Sequence, residues 1–302
     1  MTRWRAQASL AKNRQDRNNV PGRIVIERLP TQQSYDPAYF AFLAEVEDTH
    51  FWFRARNQVI AMLLERLSAQ LPQRPRVLEV GCGTGNTLRV LERICRPATV
   101  VGMDLFREGL HFARQRSAAH LVQASLHHLP FGTPVDLIGA FDVLEHYADD
   151  GQALRGLNAI LAESGWLLLT VPAFPSLWSY ADVVARHQRR YTRVELRQKL
   201  QAAGFQVERL TYFMATIFPL AWLIRRWLVL GKPGYAEPQR AEAMMRRELK
   251  IIPLLNGIFA ALLRWESWAL RSNWNLPIGV SLAAIARKVT TDEADGDFKL
   301  SE

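Results

Sequence analysis

Three features of the sequence predict an α/β fold with a mostly parallel sheet. After Pro75, short apolar runs of strand length alternate with amphipathic segments of helix length. A glycine-rich turn joins the first of these strands to a helix, and an acidic residue ends the second strand. Such alternation is typical of βαβ units, whose helices cover both faces of the sheet.

The N-terminal part of the chain is predicted to be a basic arm followed by a helical cap. Residues 1–22 are rich in Arg, Asn and Gln, so they are expected to be disordered. Residues 23–74 are expected to be the cap, because apolar residues occur twice at the spacing i, i+3, i+4, i+7. These residues are Tyr39, Phe42, Leu43, Val46 and Ile60, Leu63, Leu64, Leu67.

Six of the seven predicted strands belong to the core segment, 75–212. The strand ranges are 76–80, 99–103, 121–123, 136–140, 166–171, 206–211 and, in the segment 276–289, 280–286. The intervening helices are expected at 86–94, 108–117, 149–162 and 192–204. Gly165 is predicted to end the third helix, and the capping box Thr192–Glu195 to begin the fourth.

The segment 213–275 separates the last two strands and is expected to be a helical insertion, because unstructured loops of that length are rare in compact domains. It has a net charge of +5 and holds five of the nine tryptophans, namely Trp222, Trp227, Trp265, Trp268 and Trp274. Tryptophan beside arginine on apolar helices suits a membrane interface. A lid over an apolar substrate, a packed subdomain and a dimer surface remain open alternatives. The acidic tail, 290–302, is expected to be disordered.

Composition and charge exclude several classes of protein. The 302 residues are 49% apolar and 22% charged, which excludes a disordered, collagen-like or coiled-coil chain. No apolar run reaches the roughly 18 residues of a membrane-spanning helix. Two cysteines and an N-terminus without a secretory signal predict a cytoplasmic location, with the inner membrane face as an option. The net charge of +9 comes from residues 1–30 and 213–275, and it favours an anionic surface as partner.

The glycine-rich turn has the sequence Val77-Leu78-Glu79-Val80-Gly81-Cys82-Gly83-Thr84-Gly85-Asn86. Glycines at alternate positions permit a tight turn and a close approach of the backbone to a ligand. The helix that follows offers free N–H groups at its start. Asp104, at the end of the second strand, is placed to accept hydrogen bonds from a ribose diol. The glycine spacing differs from the Gly-x-Gly-x-x-Gly of dinucleotide sites.

This turn, between Glu79 and Asp104, resembles the first motif of class I S-adenosylmethionine-dependent methyltransferases, and the similarity covers about residues 36 to 211. It implies a Rossmann-like, seven-stranded, mostly parallel sheet with helices on both faces, and S-adenosylmethionine as cofactor. The cofactor contacts that it implies are Glu79, Gly81, Cys82, Gly83, Gly85, Asp104, Leu105, Ser125, Leu126 and Arg54. Many members have Asp where this chain has Ser125, so a hydroxyl would meet the adenine here.

Two narrower resemblances lie within this family. Phe51-Trp52-Phe53 ahead of the first motif and His187-x-Arg189-Arg190-Tyr191-Thr192 after the fifth strand are similar to a bacterial small-molecule subgroup. Asp142-x-x-Glu145-His146 resembles a segment of ubiquinone-biosynthesis O-methyltransferases that can bind a divalent metal. Adjacent Glu and His side chains point about 100° apart on a helix, so no metal is assigned.

His146 and His187 are the candidate catalytic residues. Both follow predicted parallel strands at the edge of the sheet where α/β proteins bind ligands. Histidine transfers protons near neutral pH, which suits a general base for a hydroxyl acceptor. The predicted function is methyl transfer, to oxygen, on a hydrophobic or lipid-linked small molecule.

Two alternative functions are less favoured by the sequence. The basic charge suggests nucleic-acid methylation, but the segment Phe141-Asp142-Val143-Leu144 lacks the Pro-Pro-aromatic motif of amino-methylating enzymes. Both cysteines also lie outside the position of a cytosine-C5 nucleophile. A catalytically silent cofactor-binding or scaffold protein would keep the same glycine turn, and turnover alone separates it from an enzyme.

Overall fold

A seven-stranded sheet with the order β3-β2-β1-β4-β5-β7-β6 forms the centre of the protein. The computed structural model describes residues 39–231, 238–250, 252–272 and 274–289. The strands are β1 (Arg76–Val80), β2 (Thr99–Asp104), β3 (His120–Gln123), β4 (Val135–Phe141), β5 (Leu161–Pro172), β6 (Phe205–Phe213) and β7 (Ser281–Lys288). Strand β7 runs antiparallel to β5 and β6, and the other neighbouring pairs are parallel. The predicted fold class is therefore confirmed.

Helices cover both faces of this sheet. They are α1 (Tyr39–Val46), α2 (Phe51–Ser68), α3 (Leu88–Ile94), α4 (Arg107–Arg116), α5 (Asp150–Ile160), α6 (Tyr180–Val184), α7 (Arg193–Ala202), α8 (Phe218–Gly231), α9 (Pro238–Glu248) and α10 (Pro253–Arg271). Val77 of β1 belongs to one buried apolar cluster, with side chains of α2, α3, α4 and α10. Leu78 and Val80 belong to the other cluster, with side chains of α5 and α7. Burial on both faces is typical of parallel sheets.

The chain order places a crevice at the carboxyl ends of the central strands. From β1 the chain proceeds outward to β2 and β3, and it then returns to β4 on the other side of β1. At such a switch point the connections leave β1 and β4 in opposite directions, so the two strand ends open a ligand-binding crevice. The glycine turn follows β1, and the segment with His146 follows β4.

The boundary between α5 and β5 differs from the prediction. Gly165 was expected to end the helix, but α5 ends at Ile160 and the strand already begins at Leu161. Ser164 has a left-handed φ of +59°, and a Cβ on Gly165 would lie 2.8 Å from the carbonyl oxygen of Ala162. Gly165 is therefore needed for an irregular turn within the strand, not for a helix end. The other predicted stop, Gly204, has φ +82° directly after α7.

The segment between β6 and β7 contains α8, α9 and α10, and its inner side is packed on the core. The rings of Phe51 and Phe259 lie 5.0 Å apart, which joins α2 to α10. The backbone N–H of Phe51 also donates to Oδ1 of Asn256 (2.7 Å). Helix α9 packs against α6. Within the described ranges, the helices are too short or too polar to cross a bilayer. The predicted arm (1–22), the first part of the cap (23–38) and the tail (290–302) lie outside those ranges.

Candidate active site

The turn after β1 is held by backbone conformations that favour glycine. Gly81, Gly83 and Gly85 have φ values of +67°, +50° and +80°. A Cβ on Gly81 would lie 2.5 Å from a methyl carbon of Val143, so the turn and the segment after β4 are in close contact. A Cβ on Gly83 would meet no atom closer than 3.7 Å, which leaves space above the turn. Gly81, Cys82 and Gly83 line a cavity of about 370 Å³.

Asp104 lies beside this turn at the end of β2, and both it and Leu105 line the cavity. Its Oδ2 accepts a hydrogen bond from the backbone N–H of Gly83 (2.7 Å), and its Oδ1 accepts one from Phe106 (2.8 Å). Burial raises the pKa of Asp104 to about 6, although these hydrogen bonds favour the ionised form. A carboxylate in this position can accept hydrogen bonds from a ribose diol.

Two of the predicted cofactor contacts lie beneath the turn and do not line the cavity. Glu79 is fully buried, and one of its oxygens accepts a hydrogen bond from the hydroxyl of Thr87. Burial raises the pKa of Glu79 to about 8, so the carboxyl group is mostly protonated at neutral pH. A Cβ on Gly85 would lie 2.9 Å from the Cα of Ala113. Both residues therefore support the shape of the turn from below.

Ser125 and Leu126, the residues predicted to contact the adenine, also line the cavity, and the backbone N–H of the preceding Ala124 donates to the carbonyl oxygen of Asp104 (3.0 Å). The hydroxyl of Ser125 accepts a hydrogen bond from the backbone N–H of His127 (3.2 Å). Tyr147 lines the cavity too, and burial raises its pKa to about 12, so it remains a neutral hydrogen-bonding group.

Arg54, the predicted contact for the methionine carboxylate, is exposed and does not line the cavity. Residues two apart on α2 point about 200° apart, so Arg56 faces the cavity when Arg54 faces the solvent. Arg56 donates from Nη1 to Oδ2 of Asp142 (3.0 Å). The prediction of Arg54 was made without the rotation of the helix, which places Arg56 at the cavity instead.

Helix α1 covers the glycine turn, a feature that the sequence did not predict. Tyr39, Phe40 and Leu43 line the cavity, and the Phe40 ring is the atom group closest to the space above Gly83. Glu47 fixes this helix, because it accepts hydrogen bonds from Thr84 and from Arg116. The aromatic spacing of α1 signals a buried face, but it does not reveal which surface that face covers.

The two candidate catalytic histidines lie together in the cavity wall. The ring centroids of His146 and His187 are 4.9 Å apart, and both residues line the cavity. Burial, with a smaller effect of the neighbouring His187, lowers the pKa of His146 to about 3, so His146 is neutral near pH 7.

Glu145 adds a carboxyl group to this pair. It is fully buried, and its Oε1 lies 3.9 Å from Nε2 of His187. Neither of its carboxyl oxygens has a hydrogen-bond partner within the described ranges, and burial raises its pKa well above the usual value. Glu145, His146 and His187 each offer one donor atom within 4.8 Å of the others, so these three could hold a divalent metal. Asp142 is not part of this cluster, because Arg56 and Thr170 hold its carboxylate.

Two groups that sequence reasoning missed complete this part of the site. Asp182 of α6 lies 2.9 Å from Nδ1 of His187, with Oδ1 as the nearer oxygen. Arg225, Met245 and Leu249 of the segment between β6 and β7 line the cavity from above. An acidic residue five positions before a histidine is a weak signal in sequence, because the fold alone decides whether they meet.

Comparisons with known proteins show which family the chain is similar to. A family model described as a methyltransferase domain matches residues 52–210, more than half of the chain. The malonyl-[acyl-carrier protein] O-methyltransferase of Legionella pneumophila is 30% identical over 135 residues, which are 43% of this chain and 48% of that protein. A Mycolicibacterium smegmatis protein named "Probable S-adenosylmethionine-dependent methyltransferase" is 27% identical over 165 residues, or 53% and 62% of the two chains. The chain thus spans about half to three fifths of the length of these two relatives.

A solved structure supports the fold as well. The methyltransferase of a complex with the Trm112 activator of Haloferax volcanii superposes with a TM-score of 0.51 at 16% identity, over 84% of this chain and 97% of that one. The narrower resemblance to ubiquinone-biosynthesis enzymes stays a prediction. The open space above Gly83 and the acceptor oxygens of Asp104 fit the cofactor that the family uses, S-adenosylmethionine. The chain belongs to the class I S-adenosylmethionine-dependent methyltransferases.

Proposed function

We propose that the protein methylates an oxygen atom of a hydrophobic or lipid-linked small molecule. The observation that carries this proposal is one cavity that is lined both by the glycine turn with Asp104 and by the two histidines. S-adenosylmethionine, when bound, supplies a methyl group on a sulfonium centre, so the leaving group is already activated. The chain then has to align the acceptor and take up its proton.

His187 is the better placed of the two candidate bases. The low pKa of His146 makes its ring a poor proton acceptor near pH 7. His187 faces the cavity beside the buried Glu145, which favours a role in deprotonating a hydroxyl. The Legionella relative is named an O-methyltransferase, which is consistent with oxygen as the methylated atom.

The cavity wall favours an apolar acceptor. Aromatic and aliphatic side chains of α1, α2 and α9 form much of it, namely Tyr39, Phe40, Leu43, Phe51, Trp52, Phe53, Met245 and Leu249. Pockets lined in this way bind ligands by burying apolar surface, with a few polar groups that fix the orientation.

The outer face of α10 supports a membrane surface as the source of this acceptor. The helix buries Phe259, Leu263 and Leu270 against the core. Its opposite face is also apolar, with Leu254, Ile258, Leu262, Trp265 and Trp268 exposed. A helix with apolar residues on two opposite faces needs a second apolar partner.

The charge beside this face favours an anionic bilayer as that partner. Arg264 and Arg271 are exposed on α10, and Arg226 is exposed on α8 next to the exposed Trp222. Basic residues and tryptophan at the edge of an apolar surface suit the headgroup region of a membrane. The proposed location is therefore the inner face of the membrane.

Radiolabel transfer tests the proposed function. The protein is incubated with [methyl-³H]S-adenosylmethionine and a bacterial lipid extract, and label in the organic phase is counted. We expect incorporation by the wild type and at least a tenfold loss of cofactor affinity in Asp104→Asn, measured by calorimetry. Asp136→Asn is the control, because Asp136 pairs with Arg76 away from the cavity. Label that enters only water-soluble acceptors from a matched extract would contradict the hydrophobic acceptor.

A further inference from the structure

Asp182 is the best-connected carboxylate of the candidate site. It is fully buried in α6, where its Oδ2 accepts the backbone N–H of Ser179 (2.8 Å). Its Oδ1 receives a hydrogen bond from Nε of Arg190 (2.7 Å) and lies 2.9 Å from Nδ1 of His187. One residue thus connects the α6 cap, the buried arginine and the candidate base.

The backbone fixes His187 to the same residue. The N–H of His187 donates to the carbonyl oxygen of Asp182 (2.9 Å), after a left-handed turn at Arg186 with φ +53°. The N–H of Gln188 donates to the carbonyl oxygen of Glu145 (2.7 Å). Backbone hydrogen bonds alone therefore hold His187 between α6 and the turn after β4.

Asp182 is ionised in this arrangement. The buried guanidinium of Arg190 pairs with this carboxylate, and each of its two oxygens accepts a hydrogen bond from an N–H donor that is fixed in place. Arg190 is itself anchored, because its Nη1 donates to the carbonyl oxygen of Ala173 (2.9 Å). An ionised carboxylate can only accept hydrogen bonds, so the proton between Asp182 and His187 belongs to Nδ1 of the histidine.

We infer that Asp182 is a positioning residue, which holds His187 as the Nδ1–H tautomer so that its Nε2 presents a lone pair to the acceptor. The inference rests on the proposed function. The contact from Nε2 to Glu145 is 3.9 Å, longer than a hydrogen bond, so that carboxyl group does not occupy the lone pair.

In this arrangement His187 receives both the hydroxyl proton of the acceptor and the positive charge of the reaction. Nε2 of His187 takes the hydroxyl proton of the acceptor while the sulfur–methyl bond is exchanged for an oxygen–methyl bond. The positive charge of the sulfonium therefore ends on the imidazolium. Asp182 lies 2.9 Å from Nδ1 of this ring, Glu145 lies 3.9 Å from Nε2, and the His146 ring is 4.9 Å away, while Arg190 pairs with Asp182. Asp182 is the one that directly hydrogen-bonds the ring and carries a negative charge, so it stabilises the imidazolium as well as the tautomer.

The remaining residues of the His187-x-Arg189-Arg190-Tyr191 motif provide a control. Arg189 and the hydroxyl of Tyr191 hydrogen-bond to Asp150, another buried carboxylate. Asp150 also accepts a hydrogen bond from Lys199 (2.7 Å) and does not line the cavity. Asp150→Asn therefore removes a buried charge that is bonded to Arg189 and Tyr191 of the same motif and not to His187.

Nitrogen NMR of the histidine ring tests the inference without a substrate. Long-range ¹H–¹⁵N spectra of the full chain, with ¹⁵N-labelled histidine, report which ring nitrogen carries the proton, and His187→Gln assigns the signal. We expect the Nδ1–H form in the wild type and in Asp150→Asn, and a larger share of Nε2–H in Asp182→Asn. Nε2–H in the wild type would overturn the inference, and that measurement stands even if Asp182→Asn does not fold.

Kinetics with [methyl-³H]S-adenosylmethionine and the lipid extract give the second readout. Asp182→Asn should lower kcat by about 100-fold or more, because general-base assistance is largely lost, while the Kd of the cofactor stays within twofold. Its residual rate should rise about tenfold per pH unit, since the acceptor must then ionise on its own. Asp150→Asn should keep the wild-type pH profile. An unchanged kcat in folded Asp182→Asn would overturn the inference, whereas no incorporation by the wild type would instead overturn the proposed function.

Discussion

Single buried carboxyl groups show how much of this site could be predicted from sequence. The position of Asp104 at the cavity could be predicted from the local pattern, because Asp104 ends the strand that follows the glycine turn. The role of Asp182 depends on a turn that brings residue 187 back to it, and no spacing rule predicts that contact. Arg54 and Arg56 differ only in helical phase, and the structure places Arg56 at the cavity.

Glu79 gives a pH prediction at the residue scale. Its pKa is raised by burial from 4.5 to about 8, so the folded state binds this proton more tightly than the unfolded chain does. The stabilisation that this proton gives the folded state is thus fully present at low pH and is lost as the pH rises from about 5 to about 8. We expect the free energy of unfolding of the wild type to fall relative to Glu79→Gln over this interval, as measured by urea denaturation at several pH values. Parallel pH curves for the two proteins would contradict the buried, protonated state.

At the scale of elements, the strands and the glycine turn were predicted well because short apolar runs, buried on both faces of the sheet, alternate with helical patterns. The boundary between α5 and β5 was predicted wrongly, because glycine occurs both at the ends of helices and at irregular turns within strands. The segment boundaries at 74, 212 and 275 stay predictions.

Two glycines allow a matched test of the turn. Gly81 has φ +67° and its added Cβ would lie 2.5 Å from Val143, whereas a Cβ on Gly257 in α10 would meet no atom within 4 Å. We expect Gly81→Ala to lower the free energy of unfolding by about 1–3 kcal/mol, because it adds strain at a left-handed position. Gly257→Ala should raise it by roughly 0.5–1 kcal/mol, as for a glycine inside a helix. Equal effects in chemical denaturation would show that the turn does not need glycine at residue 81.

The outer face of α10 gives a second prediction for an element. Trp265 and Trp268 are 67% and 65% exposed, and Val194 on α7 is similarly exposed at 65%. Replacing both tryptophans with serine should weaken sedimentation with phosphatidylglycerol vesicles by at least about tenfold, since the apolar anchor is removed. Val194→Ser should bind the vesicles as the wild type does. If the double variant binds normally but elutes later in gel filtration, the face is a contact between two copies of the chain instead.

The whole molecule separates its charge from its catalytic core. Residues 213–275 carry +5, while the chain outside residues 1–30 and 213–275 is close to neutral. This uneven charge distribution is visible in the sequence. The sequence does not show that the charge lies beside exposed apolar residues, because that depends on the packing of α10 on α2. Under the proposed function, a basic surface with exposed apolar side chains favours an acceptor that is delivered from a membrane.

Salt dependence tests this arrangement at the level of the whole protein. Exposed charges are screened within about 10 Å at 0.1 M salt and within about 3 Å at 1 M. Binding to phosphatidylglycerol vesicles should therefore fall strongly between these salt concentrations, and binding to phosphatidylcholine vesicles should be weak at both. Cofactor affinity should change by less than twofold over the same range, because Asp104 is buried. Vesicle binding that ignores both salt and headgroup charge would exclude the electrostatic part of the proposal.

The antiparallel pairing of β6 and β7 has a consequence for how this family diversifies. Phe213 and Ser281 are partners in the sheet, so the whole excursion from 214 to 280 leaves and returns at adjacent positions. Such an excursion can be lengthened, shortened or exchanged between homologues without breaking a strand. Under the proposed function, acceptor choice and membrane attachment then belong to one exchangeable segment, separate in the chain from the glycine turn and Asp104.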